Sequence, residues 1–265
     1  QKAAISALVA IVLFGGVSWT FEKNNLMESD CFDETNYFCI NLVDTQLHDR
    51  EVRELVLDRL VHSYVDLKDP VFLGYGYERT YAGILLPIMD AKPDLQAFFI
   101  GGGGYTFPRY LERVMPSSHL VVAEIDPGVT EVAYNELNLP RDTRIETHDL
   151  DARLYLTWQA KPDSYDVIFG DAFNDYSVPF HLTTLEFDQL VDSVLKDNGL
   201  YLANIIDGGP HGHFMRAFVR TLQQVFANVI VIPTVEDWQS SIRTTFVIVA
   251  SQKPIDLSGV NTAYH

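Results

Sequence analysis

Four consecutive glycines at positions 101–104 and the acidic residue Glu124 have a spacing that points to a ligand. Glycine lets the backbone approach a ligand closely, and the helical pattern that follows the glycines would present free N–H groups. Glu124 ends the next apolar run and could accept hydrogen bonds from both hydroxyls of a ribose. Because Thr106 stands where a dinucleotide site would need a third glycine, the pattern favours a nucleoside, although a tight turn alone would also explain the glycines. The glycine loop consists of Gly101, Gly102, Gly103 and Gly104.

Three acidic residues further along the chain are candidates for chemistry at the same ligand. Asp151, followed by Ala152, comes after the third predicted strand, where its carboxylate could accept an adenine amino group or cap the next helix; the two roles are compatible. Asp171 follows the fourth predicted strand, and Asp175 lies in the irregular loop after it. A carboxylate at this position could hold an amine or take its proton, whereas loop capping and solvation are the alternative. Tyr77 could line the mouth of the same pocket or pack in the core.

Other chemistries find little support in the sequence. His211 and His213 resemble a metal-binding pair, but no third ligand is spaced with them, and we interpret them as a helix start. The sequence contains neither a nucleophile elbow nor a phosphate-binding P-loop. The formal net charge of −17, without any run of Lys or Arg, argues against a nucleic-acid partner. We therefore expect no metal site and no tightly bound cofactor.

The candidate residues fall at the ends of a regular series of strands and helices. Apolar runs of strand length alternate with helical patterns, and two strands without a helix between them complete the series. This order predicts an α/β domain with a mostly parallel, seven-stranded sheet, the Rossmann-like architecture of class I methyltransferases. The predicted strands are residues 95–100, 119–124, 143–147, 165–170, 199–206, 229–232 and 244–250. The predicted helices are residues 77–91, 106–114, 127–137, 150–158, 184–195 and 213–226.

Three parts are predicted along the chain. They are a transmembrane anchor, an N-terminal β-unit and an adenosyl-ligand-binding domain, at residues 1–23, 24–70 and 71–265. The anchor is inferred from the uncharged run 3–21, which as a helix would extend about 28 Å and match the hydrocarbon thickness of a bilayer. A signal-peptide core or a buried helix is the alternative. Within the β-unit, strands are predicted at residues 37–43 and 54–58, with a polar turn at 46–50.

The two cysteines of the chain, Cys31 and Cys39, bear on its location. They are close enough in sequence to bridge a small loop, and two separate thiols are the alternative. A disulfide would be unusual in a reducing cytosol, so a bridged domain would lie on the extracytoplasmic side of the membrane. Without a disulfide, the sequence does not indicate on which side of the membrane the domain lies.

With these motifs identified, the chain resembles the polyamine aminopropyltransferases, the spermidine synthase family. It looks more closely like the membrane-fused spermidine-synthase-like proteins of bacteria. The likeness extends over about residues 36–252. The segments that carry it are residues 55–58, Tyr77-Glu78, residues 100–104, residues 124–126, Asp151-Ala152 and residues 165–171.

The resemblance implies an enzyme that moves an aminopropyl group from decarboxylated S-adenosylmethionine to an amine and leaves methylthioadenosine. It implies that Glu124 holds the ribose, that Asp151 holds the adenine, and that Asp171 helps to deprotonate the attacking amine. Asp175 and Tyr77 would then hold the rest of the acceptor.

The chain departs from the family's pattern in three places. Gly104 stands where the family has an aspartate that helps to bind the sulfonium side of the donor. The loop that begins at Asp171 is one residue longer than in the family. The acidic residue or glutamine expected after the fifth strand is not evident between Asn204 and Asp207, unless Asp207 serves.

Three functions are compatible with this sequence. We expect a membrane-anchored, spermidine-synthase-like transferase that uses an adenosyl-sulfonium donor, has a small-molecule amine as acceptor, and contacts the bilayer through residues 3–21. The alternatives are an S-adenosylmethionine-dependent methyltransferase, or another enzyme that consumes this donor, and a non-catalytic subunit of a membrane complex. Retention of Glu124, Asp151 and Asp171 favours an enzyme, whereas Gly104 favours the subunit. Each of these three functions is compatible with membrane-protein partners or with a homodimer.

Overall fold

The computed structural model describes residues 30–89, 91–173, 178–240, 243–255 and 257. Its strands are β1 Asp33–Glu34, β2 Cys39–Leu47, β3 Arg50–Leu57, β4 Leu60–Val65, β5 Gln96–Ile100, β6 His119–Glu124, β7 Glu146–Asp149, β8 Tyr165–Gly170, β9 Leu195–Asp207, β10 Asn228–Pro233 and β11 Thr244–Ser251. Its α-helices are α1 Gly76–Met89, α2 Thr106–Val114, α3 Pro127–Glu136, α4 Ala152–Trp158, α5 Leu185–Val194 and α6 Phe214–Leu222.

The larger of two sheets confirms the predicted Rossmann-like α/β architecture. Its strand order is β10–β11–β9–β8–β5–β6–β7. Strand β11 pairs antiparallel with β9 and β10, and the remaining neighbours are parallel. The chain builds outward from β5 through β6 to β7, and β8 then lies on the other side of β5. Open α/β sheets place ligands at the carboxyl ends of strands beside such a reversal, where the glycine loop, Glu124 and Asp171 lie.

Two predicted strands of this sheet are displaced in the structure. The strand predicted at residues 143–147 is β7, at Glu146–Asp149, because a turn closed by the Thr143 N–H and the Pro140 carbonyl precedes it. The strand predicted at residues 199–206 begins earlier, since Leu195 already pairs with Tyr165 before a register shift between β8 and β9. Neither displacement changes which strand end carries a candidate residue.

Two buried clusters, one on each face of the large sheet, form the core. Successive residues of a strand point to opposite faces, so Phe99 of β5 belongs to one cluster and Phe98 to the other. The cluster that contains Phe99 also contains Ile40, Leu55 and Val65 of the small sheet. The small sheet is therefore part of the same hydrophobic core as the α/β domain.

The small antiparallel sheet has the order β1–β2–β3–β4 and extends the predicted β-unit by two strands. Strands β2 and β3 pair from Leu47 opposite Arg50 to Ile40 opposite Leu57. His48 and Asp49 connect them, with φ angles of 49° and 62°. Two positive φ angles are typical of the two-residue turns that suit the twist of a hairpin. Strand β4 continues this sheet, and its carboxyl end leads towards α1.

A disulfide and a hydrogen bond fasten the start of the described chain. Cys31 and Cys39 are disulfide-bonded, with Cα atoms 5.3 Å apart, so they are not two separate thiols. The Thr35 hydroxyl donates to Asp126 Oδ2 over 2.6 Å, and Asp126 Oδ1 accepts from the Gly128 N–H at the start of α3. Because Asp126 lies two residues after the end of β6, these contacts connect the start of the small sheet to the carboxyl end of that strand.

Within the described ranges, none of the helices is both long and apolar enough to cross a bilayer. The predicted anchor at residues 3–21 lies outside those ranges and stays a prediction. The proposed boundaries at residues 23 and 70 likewise stay predictions.

Asp188 of α5 is a buried carboxyl group without a hydrogen-bonding partner. Its side chain is 0% exposed, and neither oxygen has a partner among the described residues. Burial raises the pKa of Asp188 from 3.8 to about 7, because the charged form loses its hydration. The folded state therefore binds the proton more tightly than the unfolded chain. The associated stability is complete below about pH 4 and is lost as the pH rises to about 7.

We expect Asp188→Asn to become more stable relative to the wild type as the pH rises. The difference in free energy of unfolding should move in favour of the variant by roughly 2–4 kcal/mol between pH 5 and 8, because the variant has no buried group to ionise. Urea unfolding at several pH values measures this difference. Asp142→Asn, which removes an exposed carboxyl group, is the control. A difference that does not vary with pH would contradict the prediction.

Candidate active site

A cavity of about 450 Å³ lies between the small sheet and the carboxyl ends of β5, β6 and β8. Its wall brings together most of the residues singled out from the sequence. Gly104 is not among the residues that line the cavity, so its contact with a ligand stays a prediction. Asp175 lies outside the described residues. The predicted site residues that line it are Tyr77, Gly101, Gly102, Gly103, Glu124, Asp151, Ala152 and Asp171.

Glu124 is held by backbone amides of the glycine loop. Its Oε2 accepts hydrogen bonds from the N–H groups of Gly102 (2.8 Å) and Gly103 (3.2 Å). Its Oε1 accepts from the Asp126 N–H (3.0 Å). Burial raises the pKa of Glu124, and these three bonds to the carboxylate act in the opposite direction. A carboxylate has about four acceptor sites, so capacity remains on the Oε1 side for a ligand hydroxyl.

Two of the glycines are required by close packing. Gly101 has a φ of 95°, and a Cβ atom there would lie 2.6 Å from the carbonyl oxygen of Asp171. A Cβ atom at Gly104 would lie 2.6 Å from the Cβ of Ser63 on β4. The Gly104 N–H also donates to Ser63 Oγ over 2.9 Å. Gly104 therefore faces the small sheet, and Ser63 fills the space that a larger side chain at position 104 would enter.

Asp151 caps α4 and also contacts a histidine that was not predicted. Its Oδ1 accepts from the Leu154 N–H (3.0 Å), which is the capping role expected of it. Its Oδ2 lies 2.7 Å from Nε2 of His181. His181 belongs to the short 3₁₀ helix Phe180–Leu182 and lines the cavity beside Ala152. The histidine follows an irregular loop, where no periodicity in the sequence indicates which side chains point inward.

Asp171 is oriented by two neutral donors. The Tyr77 hydroxyl donates to its Oδ2 over 2.6 Å, and Asn204 Nδ2 donates to its Oδ1 over 2.8 Å. Loss of hydration raises the pKa of Asp171, and the two hydrogen bonds oppose this effect. No basic side chain of the described residues forms an ion pair with it. The carboxylate is thus positioned at the cavity without a counter-charge.

Asn204, and not Asp207, is the residue of β9 that reaches Asp171. The two oxygens of Asp207 accept from the N–H groups of Gly208 and Met215, next to α6 and away from the cavity wall. Asn204 is 4% exposed, and its Oδ1 is buried without a hydrogen-bonding partner among the described residues. Asn204 therefore orients Asp171 through Nδ2, while its Oδ1 is enclosed by protein.

Glu78 is a fourth carboxylate at the cavity, beside Glu124, Asp151 and Asp171. It is 1% exposed and belongs to the first turn of α1. Its Oε2 accepts from the Tyr75 N–H over 3.0 Å, and its Oε1 accepts from the hydroxyl of Thr106. Burial raises the pKa of Glu78 to about 7, more strongly than these hydrogen bonds lower it.

Aromatic rings hold the Tyr77 hydroxyl in place. The Tyr75 and Tyr77 rings stack with centroids 5.4 Å apart, and Tyr81 meets Tyr77 edge-on at 5.5 Å. Tyr81 in turn contacts Phe169 of β8 at 5.1 Å. Tyr77 therefore packs in the core and lines the cavity, so both predicted roles apply.

The described part of the chain contains no group of three or more His, Cys, Asp or Glu residues that could hold a metal ion.

Curated proteins similar to this chain include polyamine aminopropyltransferases. The chain is 31% identical over 167 residues to the probable polyamine aminopropyl transferase of Bifidobacterium longum and 35% identical over 126 residues to the polyamine aminopropyltransferase of Vibrio vulnificus. These matches cover 62% and 47% of this chain but only 35% and 41% of the two relatives. The eEF1A lysine and N-terminal methyltransferase of Xenopus laevis is 33% identical over 132 residues, which are 46% of this chain and 19% of that protein. No protein-family model matches the chain.

Among solved structures, a probable spermidine synthase from Corynebacterium glutamicum aligns with a TM-score of 0.74 and 25% identity. The alignment covers 84% of this chain and 80% of that chain. The resemblance to the spermidine synthase family is thus confirmed in sequence and in fold. The closer likeness to membrane-fused bacterial members stays a prediction.

We expect Gly104→Ala to destabilise the protein by roughly 1–3 kcal/mol, the usual cost of overpacking, because its methyl group would press on Ser63. Adding Ser63→Gly should recover part of this loss by opening the space. Ser63→Gly alone should be slightly destabilising, since it removes the acceptor of the Gly104 N–H. Urea unfolding of the three variants measures these effects. A Gly104→Ala variant as stable as the wild type would show that the glycine loop has room for a side chain.

Proposed function

We propose that this relative of the spermidine synthases transfers an aminopropyl group from decarboxylated S-adenosylmethionine, or a related adenosyl-sulfonium donor, to a small amine. The observation that carries the proposal is the Asp171 carboxylate, which Tyr77 and Asn204 orient at the cavity without a counter-charge. At the ends of β5 and β6, the glycine loop and Glu124 offer a nucleoside-type site. One cavity could therefore hold a nucleoside beside a cationic amine.

The nucleoside half of the site would hold the donor. Glu124 would accept hydrogen bonds from the ribose hydroxyls, and the longest of its present bonds, to the Gly103 N–H, could yield to the second hydroxyl. Asp151 Oδ2, beside His181, would accept the adenine amino group while Oδ1 continues to cap α4. The donor is consumed as a co-substrate, so no tightly bound cofactor is required.

The amine half of the site would prepare the nucleophile. An amine acceptor is protonated at neutral pH and cannot attack until it loses a proton. Asp171 would hold the ammonium and assist this loss, with Tyr77 fixing the direction of the carboxylate. The amine nitrogen then forms a bond to the carbon beside the sulfonium, and the carbon–sulfur bond breaks with its electron pair moving to sulfur. The products are the lengthened amine, methylthioadenosine and one proton.

A methyltransferase is the second candidate. The match to the Xenopus laevis methyltransferase, 33% identical over 46% of this chain, supports it. The nucleoside half of the cavity would serve S-adenosylmethionine in the same way, and the two functions would differ in the group transferred. A non-catalytic subunit that keeps the fold is the third candidate, and it would not need to bind a ligand.

We also propose that residues 3–21 anchor the enzyme in a membrane and that its α/β domain lies on the extracytoplasmic side. The uncharged run of residues supports the anchor, and the Cys31–Cys39 disulfide supports an oxidising compartment. A chain that begins at Asn24 should appear in the soluble fraction after cell lysis, while the full chain requires detergent. A shortened chain that still sediments with membranes would contradict the anchor.

The transferase proposal predicts that one substitution lowers turnover and that another weakens ligand binding. Asp171→Asn should keep the affinity for methylthioadenosine but lower turnover by roughly 10²–10⁴-fold, the usual contribution of a general base. Glu124→Ala should weaken methylthioadenosine binding by roughly 1.5–3 kcal/mol, the size of charge-assisted hydrogen bonds. Calorimetry measures the affinity, and methylthioadenosine release from decarboxylated S-adenosylmethionine with a panel of diamines and polyamines measures turnover.

The same assay separates the three candidate functions. A wild-type protein that binds the donor but releases no methylthioadenosine with any amine would point to an enzyme that consumes S-adenosylmethionine. A protein that binds neither donor would point to the non-catalytic subunit.

A further inference from the structure

We infer that Glu78 binds the terminal ammonium of the donor and thereby selects a donor that lacks a carboxylate group. The inference rests on the proposed function and deepens it, since it names the residue that would distinguish decarboxylated S-adenosylmethionine from S-adenosylmethionine. The remaining roles in the cavity, at the ribose, the adenine and the attacking amine, are served by other side chains.

Glu78 is placed and oriented for this task. It lines the cavity from α1 and is 1% exposed. Its two oxygens are held by the Tyr75 N–H and the Thr106 hydroxyl, and each oxygen keeps a further acceptor site. Thr106 follows the glycine loop by two residues, and Tyr77, next to Glu78 in sequence, contacts Asp171. Glu78 therefore lies between the nucleoside half of the cavity and the amine half, where the side chain on the donor's sulfur would extend.

The charges of the site are complementary to such a donor. Glu78, Glu124 and Asp171 receive hydrogen bonds from amides and hydroxyls. Arg79 and Arg109 attract the Glu78 carboxylate electrostatically, but burial still outweighs this attraction and raises its pKa to about 7. A buried carboxylate whose lost hydration is only partly compensated is costly, so a cationic ligand would be stabilised here. The decarboxylated donor carries a sulfonium and an ammonium. S-adenosylmethionine adds a carboxylate, which Glu78 and Asp171 would repel.

The glycine loop has no room at position 104 for a negatively charged side chain that could bind the donor's ammonium. A side chain at Gly104 would collide with Ser63, whose Cβ lies 2.6 Å from where the new Cβ would be. Glu78 instead reaches the cavity from α1, where the Tyr75 N–H and the Thr106 hydroxyl hold its carboxylate.

The neighbouring half of the cavity also has a carboxylate without an ion-pair partner. Asn204 lines the cavity and directs Nδ2 to Asp171, while its Oδ1 is enclosed by protein and has no partner among the described residues. An ammonium at Asp171 would supply the missing positive charge there. The inference therefore assigns two ammonium groups to the cavity, one at Asp171 and one at Glu78.

Glu78 also has a structural role, because its bond to the Tyr75 N–H caps the start of α1. A test must therefore separate loss of charge from loss of the helix cap. Methylthioadenosine makes this separation, since it has the nucleoside and the sulfur of the donor but neither the ammonium nor the positive charge on sulfur.

The experiment measures the affinities of the full chain for decarboxylated S-adenosylmethionine, S-adenosylmethionine and methylthioadenosine by calorimetry. In Glu78→Gln, we expect affinity for the decarboxylated donor to fall at least about tenfold, as for loss of a buried charged partner. Affinity for methylthioadenosine should stay within about twofold, and the preference for the decarboxylated donor over S-adenosylmethionine should fall about tenfold. Glu78→Asp, which keeps the charge, should retain part of this preference. Asp142→Asn, outside the cavity, should change none of the affinities.

Three results would overturn the inference. Equal losses of affinity for all three ligands would show that Glu78 acts only as a cap of α1. Unchanged preference in Glu78→Gln would assign the discrimination to another group, while leaving the proposed transferase intact. A wild-type protein that fails to bind methylthioadenosine would remove the nucleoside site, and with it both the proposed function and this inference.

Discussion

The carboxylate of Glu124 accepts hydrogen bonds from the amides of Gly102 and Gly103, and through them the end of β6 is tied to the loop that follows β5. Backbone hydrogen bonds also join these strand ends, from the Gly101 N–H to the Ala123 carbonyl and from the Asp171 N–H to the Ile100 carbonyl. The side-chain contact shapes the loop so that its amides and the acidic side chain face one cavity. On the β8 side, the Asp171 carbonyl lies so close to Gly101 that a side chain there would collide with it.

The same cavity concentrates negative charge to an unusual degree. A chain of net charge −17 already repels additional anions, and here four carboxylates line one cavity. Three of them, Glu78, Glu124 and Asp171, accept hydrogen bonds from neutral donors. The cost appears as raised pKa values for Glu78, Glu124 and Asp171, in each case mainly through loss of hydration. Functional sites are places where proteins tolerate such costs, because the ligand relieves them.

The sequence predicted those parts of the site that follow from strand order. Glu124 and Asp171 end apolar runs, and the carboxyl ends of neighbouring parallel strands meet at one edge, so their convergence could be inferred without coordinates. Asn204 could not be found in this way, because it lies within an apolar strand and only the register with β8 shows that it faces Asp171. Ser63 reaches the glycine loop from a separate sheet, and His181 follows an irregular loop. Contacts between distant segments of this kind leave no periodic signal.

Strand β11 lies between β9 and β10 although it is the last strand of the sheet to be synthesised. Until residues 244–251 emerge from the ribosome, β9 has an open edge, and its interior residues from Leu200 to Ile205 are almost entirely apolar. Such an edge readily pairs with the wrong strand, so the nascent chain is exposed to mispairing at β9 until β11 is available. Asn204 lies on β9 and Thr245 of β11 lines the cavity, so the wall of the binding site is completed only when these two strands pair.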